Sequence, residues 1–310
     1  MEIEKFYTLN SFVSKFNNHS LDMLTWHITK RILNSILPNY YKRITKKEGK
    51  SAREYTNTNV ILSLTTFPDR IRTIPLVLET LFRQTVKADR IILWLAEDQF
   101  PEKNVDITLA NFVDRGLEIK YCDNIRSHKK YFYTMKENPK AIVVTCDDDI
   151  IYSEYMLERL LKTAQEHPGI IVCERAHEMK IVDGKMQSYN SWNYRARGMQ
   201  GPSLLLCPTG SAGCLYPPNS LSPHVFDKEI LIKKCLYADD IWLKCMSYMI
   251  GTPVIITRKD APEPIDTIGT SKSGLAKINV DKDMNDKQLG DVTDYYSIDW
   301  VMDTKQHLGE

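Results

Sequence analysis

From residue 59 onward, short apolar runs alternate with amphipathic stretches, and this alternation constrains the fold more than any other feature. The predicted strands cover residues 59–64, 90–95, 117–121 and 141–145, and the predicted helices between them cover 71–84, 107–112 and 130–136. Repeated βα units predict an α/β fold with a Rossmann-like, mostly parallel sheet, because the crossover connections place helices on its faces. Ligands of such sheets bind outside the carboxyl ends of the strands.

The segment before this pattern has a different composition. Residues 1–57 contain ten Lys and Arg against five acidic residues, whereas the rest of the chain has 31 basic and 35 acidic residues. Within this segment, apolar residues recur at helical spacing: Leu21, Leu24, Ile28, Ile32 and Ile36. A basic stretch follows at residues 40–50. This pattern is typical of an amphipathic helix on an anionic membrane surface, and a helix docked on the protein's own body or on a partner fits it equally well.

Length and cysteine content limit the organisation of the chain. Its 310 residues are predicted to form a basic helical segment at 1–57, one α/β domain at 58–258 and a C-terminal extension or lid at 259–310. The seven cysteines are odd in number, widely spaced and mostly within apolar runs, which is typical of reduced, buried thiols. With no run of about 20 apolar residues and no cleavable leader, the chain is expected in the cytoplasm, or peripherally on the inner face of the cytoplasmic membrane.

Three consecutive carboxylates follow the fourth predicted strand. Asp147, Asp148 and Asp149 come directly after the apolar run and are therefore expected at the carboxyl edge of the sheet. On extended chain, Asp147 and Asp149 can point the same way and hold a hard divalent cation, which would offset the charge on a departing diphosphate. Asp clusters also form turns and helix caps, and Ser153 offers a cap for a predicted helix at 154–164.

A second acidic pair, Asp239 and Asp240, begins an apolar helical segment. Acidic residues in a first helical turn often only complement the helix dipole. The functional interpretation is a carboxylate base that accepts the proton of an acceptor hydroxyl as the hydroxyl attacks an anomeric carbon. A single displacement of this kind would invert the anomeric configuration.

Two further stretches carry candidate binding groups. Residues 124–131 enter a predicted helix with four potentially cationic side chains: Arg126, His128, Lys129 and Lys130. Their charges and the helix-start N–H groups would form a cradle for a diphosphate, although a solvated basic face has the same pattern. Residues 207–218 form a small-residue loop next to prolines, which would let backbone approach a sugar closely; a plain turn before a strand explains it as well.

Motifs of several other protein classes are absent. The sequence has no Gly-x-Gly-x-x-Gly after the first strand, no Gly-x-x-x-x-Gly-Lys-Ser/Thr and no Gly-x-Ser-x-Gly. It also lacks Cys-x-x-Cys and His-Glu-x-x-His. These absences argue against dinucleotide dehydrogenases, P-loop NTPases, α/β-hydrolases and zinc sites.

Taken together, these residues resemble bacterial GT-A-fold glycosyltransferases related to family 2, especially small enzymes of capsule, O-antigen and exopolysaccharide assembly. The resemblance covers residues 59–258, in which residues 76–85 and 90–95 look like the family's first helix, Gln-Thr turn and second strand. It implies that the triplet at 147–149 binds the divalent ion and the nucleotide. It also implies that the second acidic pair supplies the base, with Asp240 at the matching position.

The resemblance further implies a nucleotide site at the ends of the first two strands. The residues expected around the nucleotide are Thr65, Thr66, Arg70, Glu97 and Asp98. The family's usual Asp-Gly-Ser after the second strand is replaced here by Ala-Glu-Asp at 96–98. Its usual Glu-Asp pair is replaced by two aspartates, which leaves open which of them is the base.

The implied function is an inverting transfer, dependent on Mn²⁺ or Mg²⁺, of one sugar from a UDP-sugar to a saccharide or lipid-linked acceptor of a surface polysaccharide. Within the family the chain looks most like enzymes that add galactose, including its furanose form. Because the Gln-x-x-Arg-Trp signature of processive synthases is absent, one addition per binding event is implied. No nucleic-acid partner is expected, and the oligomeric state is left open.

Two alternatives from other classes remain. A nucleotidyltransferase that makes sugar nucleotides normally needs a Gly-rich, Lys- or Arg-containing loop, where this chain has residues 65–70. A carbohydrate-binding module on the same fold would bind sugar without turnover. The polar tail, with Asn279, Asn285 and Gln288, would be either a lid over the nucleotide or a docked surface arm.

Overall fold

A seven-stranded sheet forms the centre of the molecule. The computed structural model describes residues 2–14, 19–44, 49–103, 107–259, 261–270 and 283–300. The strands are β1 Val60–Thr65, β2 Arg90–Ala96, β3 Leu117–Cys122, β4 Ile142–Thr145, β5 Ile171–Cys173, β6 Cys214–Tyr216 and β7 Val254–Ile256. Their order in the sheet is β7-β5-β6-β4-β1-β2-β3. All neighbouring strands are parallel except β6, which runs antiparallel to both β4 and β5. The predicted α/β class with a mostly parallel sheet is confirmed.

Helices and short strand pairs surround this sheet. The helices are α1 Ile3–Ser14, α2 His19–Arg43, α3 Ile74–Phe82, α4 Ile107–Val113, α5 Lys129–Glu137, α6 Met156–Glu166, α7 Lys228–Lys234, α8 Asp239–Tyr248 and α9 Met284–Tyr296. The strand pairs are Lys50–Ser51 with Val86–Lys87, Ala176–Glu178 with Leu206–Pro208, and Ile181–Val182 with Lys185–Met186. Within the described ranges, no helix combines the length and apolar character needed to cross a bilayer.

The sheet is buried on both faces, as its apolar strands predict. Along β1, Val60, Leu62 and Leu64 belong to one apolar cluster that also contains residues of α3, α4 and α6. Ile61, between them, points into a separate cluster on the other face. All seven cysteines are buried and without disulfide partners, as expected.

Two predicted helices begin later than expected. The helix predicted at 71–84 is shorter, because a 3-10 turn, Pro68–Arg70, precedes it and Pro75 occupies its first turn. The helix predicted at 154–164 begins at Met156, and Ser153 does not cap it. Instead the side-chain oxygen of Gln84 accepts the N–H of Leu157 at 2.9 Å, so a distant side chain satisfies a helix-start donor.

The N-terminal helices pack against α3, the loop after β4 and the C-terminal tail. Leu33 and Leu37 of α2 are fully buried in a cluster with Ile3 and Tyr7 of α1 and with Ile151 and Ile265. The phenol of Tyr7 donates to the carbonyl of Ile151 at 2.7 Å. The helix predicted from the spacing at residues 21–37 is therefore present and extends to Arg43, whereas Lys46 and Lys47 of the predicted basic stretch lie outside the described residues.

Candidate active site

The topology fixes where a ligand can approach the sheet. Strand β1 lies between β2 and β4, so the chain leaves β1 toward one edge and later returns on its other side. Open α/β sheets bind ligands at such a switch point, outside the carboxyl ends of the strands. Thr66 directly follows β1, and the triplet at 147–149 follows β4. The predicted position of the acidic triplet at the carboxyl edge is confirmed by this geometry.

The triplet is tied to the loop after β1 by one buried arginine. Arg70 places its guanidinium 2.5 Å from Asp148 and 2.9 Å from Asp149. The hydroxyl of Thr66 donates to the other oxygen of Asp148 at 2.5 Å. Burial opposes the charge of Arg70, but Asp148 and Asp149 raise its pKa overall. The arginine therefore stays charged and holds the two loops together.

Asp147 and Asp149 are the members of the triplet that remain accessible. Their side chains are 29% and 22% exposed, against 7% for Asp148. Burial raises the pKa of Asp149 to about 7; Arg70 opposes the shift, and Asp147 and Asp148 add to it. Burial and the two neighbouring carboxylates therefore outweigh the effect of Arg70 on this carboxylate.

These two carboxylates suit a divalent cation that takes its remaining ligands from water and substrate. No group of three or more His, Cys, Asp or Glu among the described residues is arranged as a complete metal cage. A magnesium-type site needs only one or two carboxylates, because water and substrate phosphate oxygens supply the remaining ligands. Asp147 and Asp149 lie at alternate positions on the chain, and their partly exposed side chains match that donor set.

A buried lysine joins the triplet to the second acidic pair. Lys130 Nζ lies 2.5 Å from Asp147 Oδ1 and 2.8 Å from Asp239 Oδ2. Burial opposes its charge, but Asp147, Asp239 and Asp240 raise the pKa of Lys130 well above its usual value. The sequence predicts that this lysine belongs to a basic cradle for a diphosphate. In the structure it lies instead among three carboxylates, those of Asp147, Asp239 and Asp240.

The two aspartates of α8 have different environments. Burial tends to raise the pKa of Asp239, but Lys130 and His128 lower it to about 2. For Asp240, burial and the charge of Asp239 together raise the pKa to about 8. A general base works best when its pKa lies near the working pH. The pKa of Asp240 therefore lies closer to neutral pH than that of Asp239, which makes Asp240 the better candidate for a base. Asp239 pairs with Lys130.

The small-residue loop places a backbone donor on Asp240. The N–H of Gly210 donates to Asp240 Oδ1 at 3.0 Å. Gly210 lies in a 3-10 turn, Gly210–Ala212, between the strand Leu206–Pro208 and β6. A side-chain Cβ added at Gly210 would lie 3.0 Å from Lys130 Nζ and 3.1 Å from Asp240 Oδ1. A side chain at Gly210 would therefore push both charged groups away from their positions by a few tenths of an ångström.

Replacing Gly210 by Ala is expected to lower kcat/KM about tenfold, because the added methyl shifts the two charged groups from their positions. Steady-state kinetics on the purified variant measures this effect. The control is Gly290→Ala in α9, where an added Cβ meets nothing within 4 Å. Gly290→Ala should keep wild-type kinetics and gain up to about 1 kcal/mol of stability. Equal kinetics for Gly210→Ala and wild type would contradict this role of the loop.

The basic stretch before α5 divides into different roles. Lys129 is buried, and its charge interacts with those of Asp98 and Asp148. Arg126 is exposed, has a left-handed backbone with φ of 55°, and lies 5.8 Å from the ring of Tyr237. Arg126 is thus accessible to a nucleotide, and the role of Lys129 toward a nucleotide stays a prediction.

His128 is not a cation here, which corrects one expectation for this stretch. The imidazole is fully buried, with Nε2 2.8 Å from the carbonyl of Cys235 and Nδ1 2.9 Å from the phenol of Tyr131. Because a carbonyl can only accept, Nε2 carries the proton and Nδ1 accepts from the phenol. Burial lowers the pKa of His128 to about 4. The ring is a structural link between α5 and the segment before α8.

The other residues expected around the nucleotide lie at the same edge of the sheet. The hydroxyl of Thr65 donates to the carbonyl of Trp94 at 2.8 Å and so links β1 to β2. Asp98 is exposed and accepts from the amide of Asn124 at 3.0 Å, while Glu97 pairs with Lys103 at 2.8 Å. Their roles toward a nucleotide stay predictions.

The C-terminal tail contacts both halves of the site. Asp266 pairs with Ile150 through backbone, and Thr267 N donates to the carbonyl of Asp149 at 2.6 Å. Helix α9 packs on α8, and Gln288 accepts the N–H of Tyr237 at 2.8 Å. Asn279 lies outside the described residues.

Several contacts at the site have no counterpart in the sequence motifs. The phenol of Tyr152 accepts the N–H of Asp147 at 2.7 Å, and the carbonyl of Thr270 accepts from Arg70 at 3.3 Å. Beside the loop, Arg175 donates to the hydroxyl of Thr209 at 2.9 Å. These residues come from separate parts of the chain, so spacing along the sequence gives no sign of them. Only Tyr152, five residues after Asp147, lies within the motif itself.

No protein-family model matches the chain, and a search of curated proteins finds no match. Solved structures give low-scoring likenesses. A mannosyltransferase from Pyrobaculum calidifontis in complex with GDP-Man and Mn²⁺ is 11% identical, with 84% of this chain and 71% of that chain covered and a TM-score of 0.45. A CMP:2-keto-3-deoxy-manno-octonic acid synthetase complexed with CTP is 8% identical, with 73% and 100% covered and a TM-score of 0.42.

A third likeness is a glucosyl-3-phosphoglycerate synthase from Mycobacterium tuberculosis in complex with Mn²⁺, UDP and phosphoglyceric acid. It is 15% identical, with 41% of this chain covered and a TM-score of 0.31. The aligned region spans 48% of that protein, about half its length. Because all three TM-scores lie below 0.5, the fold class rests on the strand order, and the roles of the site residues rest on their own contacts.

Proposed function

We propose that this chain is an inverting, divalent-cation-dependent glycosyltransferase that moves one sugar from a UDP-sugar to a saccharide or lipid-linked acceptor. The observation that carries the proposal is the single buried unit formed by the triplet after β4, Lys130 and the pair Asp239–Asp240. This unit supports the proposal because it brings carboxylates that could bind a cation close to Asp240, whose raised pKa suits a base, at one switch point of the sheet.

On the donor side, Asp147 and Asp149 would hold Mn²⁺ or Mg²⁺, and the exposed Arg126 and Asp98 would contact the nucleotide. The buried Lys129 and Thr66 would support this site, Lys129 through its charge and Thr66 through its hydrogen bond to Asp148. The ion would supply a Lewis acid that offsets the charge of the leaving diphosphate. Arg70 keeps Asp148 and Asp149 in place, since its guanidinium contacts both carboxylates.

On the acceptor side, Asp240 would take the proton. An acceptor hydroxyl oxygen forms the new bond to the anomeric carbon, the bond from that carbon to the diphosphate oxygen breaks, and the hydroxyl proton passes to the Asp240 carboxylate. The N–H of Gly210 fixes one oxygen of this carboxylate. One displacement inverts the anomeric configuration, so an α-linked donor would yield a β-linked product.

The rate is expected to rise with pH. Only ionised Asp240 can accept a proton, and burial together with Asp239 raises the pKa of Asp240 to about 8. The value of kcat/KM should therefore increase with pH through an apparent pKa of about 8. With a cation bound at Asp147 this apparent pKa should be lower, because the cation would offset the charge of Asp147, which helps to raise the pKa of Asp240. A kcat/KM that falls as the pH rises from about 6 to about 8 would contradict Asp240 as the base.

The test of the proposed function is UDP release from a panel of UDP-sugars, including galactose in pyranose and furanose form, with simple saccharide acceptors. The proposal predicts release with Mn²⁺ or Mg²⁺ that stops with EDTA, and a product of inverted configuration by NMR. Release of pyrophosphate from a nucleoside triphosphate and a sugar phosphate would instead indicate a nucleotidyltransferase. Sugar binding without turnover of any donor would indicate a carbohydrate-binding module.

A further inference from the structure

Among the described residues, helix α2 contacts the rest of the protein through one face. Leu33 and Leu37 on that face are fully buried. On the same side, the indole of Trp26 donates to the carbonyl of Pro264 at 2.9 Å, and Lys30 pairs with Asp266 at 2.5 Å. The helix is thus held in a fixed orientation by apolar and polar contacts.

The opposite face carries a continuous line of exposed apolar side chains, here called the outer stripe. Its members are Leu21, Leu24, Ile28, Ile32 and Ile36. Each of these side chains is between 38% and 57% exposed. Residues three and four apart lie on one face of a helix, so the five side chains form one ridge. Contiguous apolar surface of this kind on a folded protein marks an interaction site.

The charges beside the outer stripe are basic. Lys42 lies about five full turns after Leu24 and therefore on the same side of the helix. Arg31 and Arg43 are exposed next to the stripe as well. The one acidic residue in the α2 sequence is Asp22, which faces inward and lies 3.6 Å from Arg195 and 3.9 Å from Arg197. The outward surface of α2 is therefore apolar and cationic.

This combination fits one kind of partner. We propose that the outer stripe docks the protein on an anionic lipid bilayer, with the apolar ridge in the interface and the three cations on lipid phosphates. A second copy of the chain fits less well, because the outward surface of α2 offers no acidic side chain to pair with the cations of the other copy.

The position of α2 gives the docking a consequence for the site. Residues 264–268 lie between α2 and the acidic triplet, since Lys30 contacts Asp266 and Thr267 contacts the backbone of Asp149. The outer stripe is thus about one helix diameter plus one extended segment away from the triplet, on the order of 15–20 Å. Docking would hold the site close to the membrane surface, where the head group of a lipid-linked acceptor lies. This consequence rests on the proposed function.

Sedimentation with vesicles tests the docking without any donor or turnover. The full chain should sediment with phosphatidylcholine vesicles that contain phosphatidylglycerol, and at least tenfold less with pure phosphatidylcholine or at high salt. The variant Ile28→Glu/Ile32→Glu should lose at least tenfold in partitioning. The matched control Ile232→Glu/Ile250→Glu changes two side chains that are each 44% exposed elsewhere, and it should bind like wild type.

Three results would overturn the docking: no sedimentation of the wild type, equal sedimentation of both double variants, or a dimer in light scattering that Ile28→Glu/Ile32→Glu dissociates. Circular dichroism and UDP release with soluble acceptors should be unchanged in both variants. Because vesicle binding needs no turnover, a chain that binds vesicles but transfers no sugar would refute the proposed function and leave the docking standing.

Discussion

Asp240→Asn is expected to lower kcat by about 10²- to 10⁴-fold, the contribution of a positioned general base. The amide keeps the shape of the carboxylate, and its oxygen can still accept the N–H of Gly210. Because the proposed role of Asp240 is to take the proton of the acceptor hydroxyl, donor binding should change little. Steady-state kinetics gives kcat, and calorimetry with UDP and Mn²⁺ gives the affinity for the nucleotide.

The neighbouring carboxylate is the matched control for this variant. Lys130 and His128 hold the pKa of Asp239 at about 2, although burial opposes them, so Asp239 is a poor proton acceptor near neutral pH. Asp239→Asn should cost at most about tenfold in kcat, through a less firmly held Lys130. If Asp239→Asn were the more damaging change, or if Asp240→Asn lost UDP binding together with turnover, Asp240 would not be the base.

Lys130→Met is expected to destabilise the protein by about 3–5 kcal/mol, the usual cost of removing one partner from a buried ion pair. The lysine is the shared cation between Asp147 and Asp239, and it is buried. Without it, three carboxylates would remain close together with less compensating charge. Urea unfolding followed by circular dichroism measures the change in the free energy of unfolding.

An exposed lysine provides the control for stability. Lys287 pairs with Asp291 along α9 at 2.5 Å, and the lysine side chain is 64% exposed. Water screens such a pair, so Lys287→Met should change the free energy of unfolding by about 0.5 kcal/mol or less. A Lys130→Met variant within about 1 kcal/mol of the wild type would show that the three carboxylates do not depend on this cation.

Much of the sheet could be predicted because apolar runs mark its parallel strands. The run predicted at 59–64 is the strand Val60–Thr65, and the run at 90–95 is Arg90–Ala96. Strands β5, β6 and β7 have three residues each, too few to show a periodic pattern. Within the helical segment predicted at 1–57, the apolar spacing marks only the helix at 21–37, whereas helix α1 is held by tertiary contacts such as that of Tyr7 with Ile151.

The acidic groups of the site could be predicted, but the contacts among them could not. A strand that ends in Asp147 and a helix that begins with Asp239 are visible in the sequence. Lys130 lies between them only because α5 packs on the sheet beside β4, a placement that depends on the whole topology. For α2, the periodicity of the apolar residues predicts the helix. It does not predict which face packs on the rest of the protein, because that face carries Leu33 and Leu37 and not the more regular outer stripe.

The central claim is that the edge after β4 binds a cation together with a nucleoside diphosphate. Calorimetric titration of UDP into the wild type and Asp149→Asn, each with Mn²⁺ and with EDTA, tests it most directly. The wild type should bind UDP about 10- to 100-fold more tightly with Mn²⁺ than with EDTA, and Asp149→Asn should lose most of this difference. Equal UDP affinity of the wild type with Mn²⁺ and with EDTA would contradict the claim, as would an Asp149→Asn variant that keeps the full effect of Mn²⁺.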